Sequence, residues 1–238
     1  MTKEGPKLRF LEHLEELRWR LFRAFVALML GGIVSYVFRD VVFDLLTQPF
    51  TDAFGEGAPI QTLKPTEAFS SALRIAMFGG FIIGSPVIMW QLWRFVAPGL
   101  RPVERKWAAP IVVALVVLFL GGVAFAYYLA PRGLQFLQAV LPVALGTTLS
   151  EYLSFILRFL LMFGVAFEFP VFLFAAAAMG VTSSQQLADG RRWAVVIIVI
   201  VGAAATPTGD PFTMFALAIP LYLLYEGTLL LIRFVLRK

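Results

Sequence analysis

Six long apolar stretches, separated by short polar segments, dominate the hydrophobic pattern of this chain. They cover about residues 21–38, 69–92, 108–129, 152–179, 193–206 and 212–232. A membrane-spanning helix needs about 20 mostly apolar residues. The pattern therefore predicts an all-α membrane protein with six transmembrane helices in one domain, residues 1–238. Residues 39–68 form the predicted first outer loop.

Two of the predicted spans have unusual lengths. The fourth has about 28 residues, roughly 42 Å of helix, against a hydrocarbon core of about 30 Å. It is expected to tilt or bend, and Pro170 offers a place for the bend. The fifth has about 14 residues, roughly 21 Å, which is too short for an ordinary crossing. The outer end of the last hairpin is therefore expected to stop short, with a locally thinned bilayer.

Prolines recur inside the spans at Pro86, Pro110, Pro170 and Pro220. Neighbouring helices or water can satisfy the carbonyl groups that such prolines leave free. The prolines favour a concave arrangement of bent helices over a straight bundle. No convincing inverted repeat relates the first three spans to the last three, which weakens the interpretation as a transporter.

Basic residues are concentrated on one side of the predicted membrane. Fifteen lie on the side of the two termini and only three in the opposite loops. The three are Arg39, Lys64 and Arg132. Since cytoplasmic loops carry the excess of Lys and Arg, both termini are expected in the cytoplasm. The net charge of +5 thus reflects topology and gives no indication of a nucleic-acid partner.

Composition supports the membrane interpretation and argues against an enzyme. The chain is 60% hydrophobic and 15% charged, whereas soluble domains are about 45–50% apolar and about 25% charged. It has no cysteine and a single histidine, His13, so it lacks the parts of a thiolate or histidine metal site. No phosphate-binding or dinucleotide-binding motif is present. No cofactor or metal is expected.

The first twenty residues form a predicted cytoplasmic amphipathic segment. Phe10, Leu14, Leu17 and Leu21 recur at helical spacing and make one apolar stripe. The segment lacks the early apolar run and cleavage site of a secretory signal peptide. An interfacial helix that only orients the first span is the plain alternative to a functional role.

Four stretches, in order along the chain, carry a family resemblance. They are "HLEELRWRL" (13–21), "SPVIMWQLWRFVAPGLRPVERK" (85–106), "YLSFILRFLLMFGVAFEFPV" (152–171) and "LAIPLYLLYEG" (217–227). Together they resemble the TatC family, the receptor subunit of the twin-arginine protein translocase. The resemblance implies a receptor in the bacterial inner membrane that binds the twin-arginine signal peptides of folded precursor proteins. It also implies TatA- and TatB-type single-span partner subunits, self-association and transport driven by the proton-motive force.

The resemblance also implies which residues bind the signal peptide. Glu16 and Glu104 match the family's recognition positions, and Arg18, Phe95 and Pro98 match other motif positions. An arginine presents a planar fork that pairs with a carboxylate through two bonds, so two arginines require two accessible acids. Without the resemblance, local ion pairs explain both acids: Glu16 with Arg20, and Glu104 with Arg101 or Arg105.

Glu168 stands alone among apolar residues in the fourth span. A charge at the bilayer centre costs at least about 2.5–3.5 kcal/mol, so this group should face a cavity or the protein interior. It matches the family's intramembrane glutamate, which implies a polar spot in a concave face that contacts a partner's helix. A neutral Glu making one interhelical hydrogen bond is the alternative. The rival function is an ion- or proton-coupled transporter of small molecules with Glu168 as the proton carrier.

Several other residues have weaker predictions. Pro49 resembles a family proline in the first outer loop, and Asp210 either matches an outer-loop acid or caps a helix. Arg74 and Arg158 are expected to snorkel toward the outer surface. The doublet of Arg191 and Arg192 is interpreted as cytoplasmic anchoring. Glu226 is interpreted as a second buried acid, held by a structural hydrogen bond.

Overall fold

The structure is a computed structural model that describes residues 6–58, 60–62, 64–96, 108–140, 148–205 and 210–236. Every regular element in these ranges is helical, so the all-α class is confirmed. The helices are α1 (Pro6–Val37), α2 (Arg39–Phe54), α3 (Pro65–Val96), α4 (Ala108–Val140), α5 (Leu149–Ala166), α6 (Phe169–Ala178), α7 (Ser184–Asp189), α8 (Arg191–Ala205) and α9 (Pro211–Leu231). A short π-helical turn, Ile232–Leu236, follows α9.

Five helical stretches in the described part of the chain are long and apolar enough to cross a membrane. They are Leu14–Val37, Thr66–Phe95, Ala109–Val140, Leu149–Ala178 and Pro211–Leu236. The remaining predicted span corresponds to α8, which has 15 residues. At 1.5 Å rise per residue, α8 is about 22 Å long, shorter than a hydrocarbon core of about 30 Å. A sixth crossing therefore stays a prediction.

The first helix is longer than its apolar run. Helix α1 continues without a break from Pro6 to Val37, so the polar amphipathic segment and the first apolar stretch are one rod. A second helix, α2, occupies most of the predicted first outer loop. The chain turns only at Phe38 between α1 and α2.

The long fourth apolar stretch is interrupted beside Pro170. Helix α5 ends at Ala166, Phe167 and Glu168 form a turn, and α6 begins at Phe169. Proline has no backbone N–H and its ring clashes with the carbonyl four residues earlier, which here belongs to Ala166. The predicted break at Pro170 is therefore present and has a local cause. It places Glu168 at the joint between two helices.

Helix α5 begins at a reciprocal cap. The Thr148 hydroxyl accepts from the Glu151 backbone N–H at 3.2 Å, and the Glu151 carboxylate accepts from the Thr148 N–H at 3.3 Å. Two N–H groups that the first turn leaves free are satisfied in this way. The cap fixes where α5 starts, a helix with buried residues along most of its length.

The core lies mainly between α4, α5 and α9. Its largest fully buried side chains include Phe119 from α4, Phe159 and Phe163 from α5, and Leu217 and Leu221 from α9. Helix α2 packs against this core through Phe50, whose ring meets that of Tyr152 edge to face at 5.1 Å. The loop helix α2 is thus part of the folded body.

Helices α1 and α3 meet along a contact that we call the glycine seam, formed by Gly31, Gly79, Gly80 and Gly84. A Cβ added at Gly80 would lie 2.6 Å from the Leu28 carbonyl oxygen, and one at Gly31 would lie 2.7 Å from the Gly80 carbonyl oxygen. Small residues let membrane helices approach this closely, and packing then holds them together. Away from the seam, α1 exposes large apolar side chains such as Phe22 and Leu30.

Candidate functional site

The predicted recognition acid Glu16 lies on α1 and is already engaged. Its Oε1 accepts a hydrogen bond from Arg20 Nε at 3.0 Å and a second from Arg20 Nη2. The Glu16 side chain is 37% exposed, while that of Arg20 is 12% exposed. The local ion pair that the sequence offers as an alternative is therefore present. It leaves the acid accessible from outside the protein and the arginine largely covered.

The glycine seam brings Glu16 to the end of α3. The two helices run antiparallel: Gly31 faces Gly80, and Ala27 faces Gly84. Extended about four turns farther, this register places Glu16 at the level of Phe95, one residue before the end of α3. Phe95 is half-buried and Arg18 is exposed. Pro98 and Glu104, in the segment that follows α3, lie outside the described residues.

Glu168 lies in the interior at the joint between α5 and α6. It is only 3% exposed, and neither carboxyl oxygen has a hydrogen-bond partner among the described residues. Nearby, a Cβ added at Gly122 would lie 2.9 Å from Phe167 Cγ, which shows how tightly α4 packs here. The acid thus faces the protein interior and is not open to the surface.

Pro49 leaves one backbone carbonyl group of α2 without its usual helical hydrogen bond. It sits inside α2 and is buried. Because proline has no N–H, the Leu45 carbonyl four residues earlier lacks its helical donor. The Tyr127 hydroxyl, from α4, donates to this carbonyl at 2.8 Å. A second tyrosine, Tyr152 of α5, donates to the Leu46 carbonyl at 2.6 Å.

Asp210 caps the last helix. Its Oδ1 accepts from the Thr213 backbone N–H at 2.8 Å, and its Oδ2 accepts from the Thr213 hydroxyl at 2.5 Å. Pro211 follows at the first helical position, where its missing N–H costs nothing. The cap that the sequence allows for Asp210 is therefore present. Whether Asp210 is also the family's outer-loop acid stays a prediction.

Arg191 and Glu226 form an ion pair that sequence reasoning missed. Arg191 Nε lies 2.6 Å from Glu226 Oε1, and Arg191 Nη2 lies 3.0 Å from Glu226 Oε2. The Tyr222 hydroxyl also donates to Oε1, at 3.0 Å. The hydrogen bonds that Arg191 donates to the Glu226 carboxylate raise the pKa of its guanidinium above the ordinary value. Glu226 is 28% exposed, so the interpretation as a buried acid is wrong, although it does accept structural hydrogen bonds.

Arg74 joins two helices. Its Nη1 donates to the Ser150 carbonyl at 3.0 Å, to the Ser150 hydroxyl at 3.0 Å and to the Ser154 hydroxyl at 2.7 Å. The side chain therefore reaches the start of α5. Arg74 was expected to extend toward the outer surface, and in the structure it is held by hydrogen bonds to Ser150 and Ser154. Arg74 and Arg158 both line a groove of about 580 Å³ between α1, α3 and α5, which we call the arginine groove.

The described residues contain no cluster of three or more His, Cys, Asp or Glu side chains that could hold a metal ion. Five membrane-length helices, a backbone contact between α1 and α3 and a buried acid at a helix joint define a multi-pass helical membrane protein. The comparisons with known proteins then identify the family.

A sequence model of the family described as Sec-independent protein translocase protein (TatC) matches residues 12–220. The TatC protein of Carboxydothermus hydrogenoformans is 35% identical, over 98% of this chain and 96% of its own length. The TatC protein of Aquifex aeolicus is 37% identical, over 95% of each chain. A crystal structure described as the twin-arginine translocase receptor TatC in DDM superposes with a TM-score of 0.80 at 36% identity, over 92% of this chain and 99% of the other. The chain belongs to the TatC family and is a component of a protein-translocation system.

Proposed function

We propose that this protein is the receptor of a twin-arginine translocase and binds the signal peptides of folded precursor proteins at its cytoplasmic face. The observation that carries the proposal is the position of Glu16. An accessible carboxylate lies at the level of Phe95, beside the end of α3, and the chain then continues directly to Pro98 and Glu104. Family membership supports the same assignment.

In the proposed binding, an arginine of the signal peptide replaces Arg20 at the Glu16 carboxylate. Arg20 now occupies Oε1 of Glu16. An arginine of the signal would take its place or share the carboxylate, and the second arginine of the signal would pair with Glu104. Each such pair is a charge-assisted bond with a planar fork, a geometry that lysine cannot reproduce. Arg18, Phe95 and Pro98 would shape the surface around the two acids.

The proposal includes a topology. Six spans, with α8 as the short fifth crossing, place both termini in the cytoplasm of a bacterium and the chain in its inner membrane. The distribution of fifteen basic residues against three supports this orientation. Because α8 has only 15 residues, the bilayer is expected to thin beside the last hairpin.

Glu168 is the proposed contact for a partner's transmembrane helix. Its carboxyl is buried and lacks a hydrogen-bond partner among the described residues, which is costly for a polar group. It lies at the joint of α5 and α6, so in this proposal a partner's helix reaches it through a change in the bend. Single-span subunits of the TatA and TatB type are the proposed partners, self-association is expected, and the proton-motive force is the proposed energy source.

The test is binding of a twin-arginine signal peptide to the purified full-length protein in nanodiscs. Binding should be lost with a Lys-Lys peptide and weakened by Glu16→Ala and by Glu104→Ala. Glu15→Ala is the matched control, since Glu15 is the exposed neighbouring acid on the same helix. Equal binding by all variants would refute the receptor site. Such a result would direct attention to a proton-coupled transporter built on Glu168.

A further inference from the structure

The arginine groove carries two positive charges within an apolar surrounding. Arg74 and Arg158 line it together with apolar side chains such as Met77, Phe81 and Val165. Of the described residues that line it, Ser154 is the other polar one and none is acidic. An arginine inside a membrane-length helix requires an anion, a carbonyl group or water, because hydrocarbon offers no such partner.

The two arginines differ in how they are satisfied. Arg74 binds Ser150 and Ser154 through three hydrogen bonds and is held in place. Arg158 is exposed and has no hydrogen bond or ion pair with any described residue. It lies nine residues after Leu149, about 14 Å along the helix. A free guanidinium beside a fixed one leaves room for an anion that contacts both.

The two ends of the arginine groove differ in polarity. Because Arg74 bonds to the first turn of α5, position 74 of α3 is level with the start of that helix. The polar lining residues lie in the half of the groove nearest the helix starts. The deeper half is lined by apolar side chains, among them Phe81, Leu161 and Val165. One end therefore suits an anion and the other a hydrocarbon chain.

We propose that the arginine groove binds a phospholipid with an anionic headgroup. The phosphodiester would lie between Arg74 and Arg158, since its two charged oxygens can accept from two guanidinium groups. One acyl chain would run along the apolar half between α3 and α5. Basic pockets between transmembrane helices are suited to lipid headgroups for this reason. In the proposed topology the lipid belongs to the outer leaflet, where the site is remote from Glu16.

The experiment is lipid retention by the full-length protein in detergent, followed by native mass spectrometry. The probe is phosphatidylglycerol with palmitoyl and oleoyl chains. A diacylglycerol with the same chains tests the need for the phosphate, and glycerol phosphate tests the headgroup alone. Arg158→Gln is the main variant, because Arg158 has no described partner whose loss would disturb folding. Arg132→Gln is the matched control, an exposed arginine near the same end of the protein and outside the groove.

One tightly retained phosphatidylglycerol is expected, with weaker retention of the diacylglycerol and of glycerol phosphate. Removal of one charge-assisted contact should weaken retention about tenfold in Arg158→Gln and in Arg74→Gln, and not in Arg132→Gln. Equal retention of the diacylglycerol, or unchanged retention by Arg158→Gln, would overturn the proposal. If Arg158→Gln instead releases a co-purified single-span subunit with lipid unchanged, the groove binds an acidic helix and the lipid assignment is wrong.

The lipid measurement uses no signal peptide and no transport assay. If the protein does not bind a twin-arginine peptide, the lipid retention result therefore still stands. Conversely, an absent lipid would say nothing about Glu16.

Discussion

The guanidinium of Arg191 and the carboxylate of Glu226 form a two-point ion pair that joins the start of α8 to the last turns of α9. The two residues are 35 positions apart in sequence, and Tyr222 reinforces the acid from one turn earlier on α9. The pair fixes one end of α8, the shortest of the six predicted spans. Its neighbour Arg192 is exposed and has no such bond.

Arg191→Glu is expected to lower the thermal unfolding midpoint of the purified protein, because it places two acids side by side. The charge swap of Arg191→Glu with Glu226→Arg should recover most of the loss. The effect is modest, since both side chains are partly exposed and exposed pairs are weak. Arg192→Glu serves as the control and should change the midpoint less. Equal effects of the two single variants would mean that the pair contributes nothing.

Pro49 and Tyr127 should be energetically coupled. Tyr127→Phe removes the donor to the Leu45 carbonyl and is expected to cost about 0.5–1.5 kcal/mol of unfolding free energy. In a Pro49→Ala background, the new backbone N–H can donate to that carbonyl, so the same tyrosine change should cost less. A double-mutant cycle measured by unfolding gives the coupling.

Tyr128→Phe provides the comparison for this cycle, because Tyr128 is exposed and contacts Arg132 instead. The free-energy cost of Tyr128→Phe should be the same with Pro49 and with Pro49→Ala. A cycle that closes with zero coupling for Tyr127 would show that its hydroxyl is not the substitute for the missing helical donor.

Gly80→Ala should destabilise the protein by about 1–3 kcal/mol, the usual cost of forcing atoms into a packed contact. The added methyl would meet backbone atoms of α1 at 2.6–2.9 Å, and backbone cannot move aside as a flexible side chain can. Gly121→Ala is the control, since a Cβ there meets nothing within 4 Å. In the control, greater helix propensity should leave stability equal or higher. Similar behaviour of the two variants would argue against the glycine seam.

Glu168→Gln should fold at least as stably as the original protein. An amide costs less to bury than a carboxylate, and no described partner of Glu168 is lost. Export of a reporter with a twin-arginine signal should nevertheless fall, if the carboxyl serves the proposed partner contact. Thermal unfolding and export are measured on the same variant. A matched fall in stability would mean that the carboxyl is a structural group.

Arg20→Gln is expected to strengthen binding of a twin-arginine peptide. It removes one partner of Glu16, and an ion pair of this exposure is worth up to about 1 kcal/mol, or roughly fivefold in affinity. Arg23→Gln is the control, an exposed arginine one turn farther along α1. Weaker binding by Arg20→Gln would show that Arg20 belongs to the receptor surface and does not compete with the peptide.

Local features of the fold were predictable from sequence, and contacts between distant residues were not. The apolar runs and Pro170 act within one helix, so the helical class and the break before α6 follow from a short window of residues. The ion pair of Arg191 and Glu226 depends on how α8 lies against α9. The periodicity of the sequence carries no information about the packing of α8 against α9. Glu226 was therefore expected to be more buried than it is.

The candidate site shows the same division. The pair of Glu16 and Arg20 was predictable because residues four apart share a helix face. The level of Glu16 relative to the end of α3 was not predictable, since it depends on the register set by Gly31 and Gly80. The bonds from Arg74 to Ser150 likewise span 76 positions. Glu168 was expected to face a cavity or the protein interior, and it is buried at the α5–α6 joint. Which helices cover it depends on packing between distant segments.

The glycine seam couples α1 and α3 mechanically. At Gly31, Gly80 and Gly84 the nearest atoms across the contact are backbone atoms, which cannot change rotamer to absorb a shift. This close contact couples any movement of α1 to movement of α3. A force on the Glu16 end of α1 would also displace the far end of this helix pair, where α2 begins. A displacement at one membrane surface would thus reach the other without any helix bending.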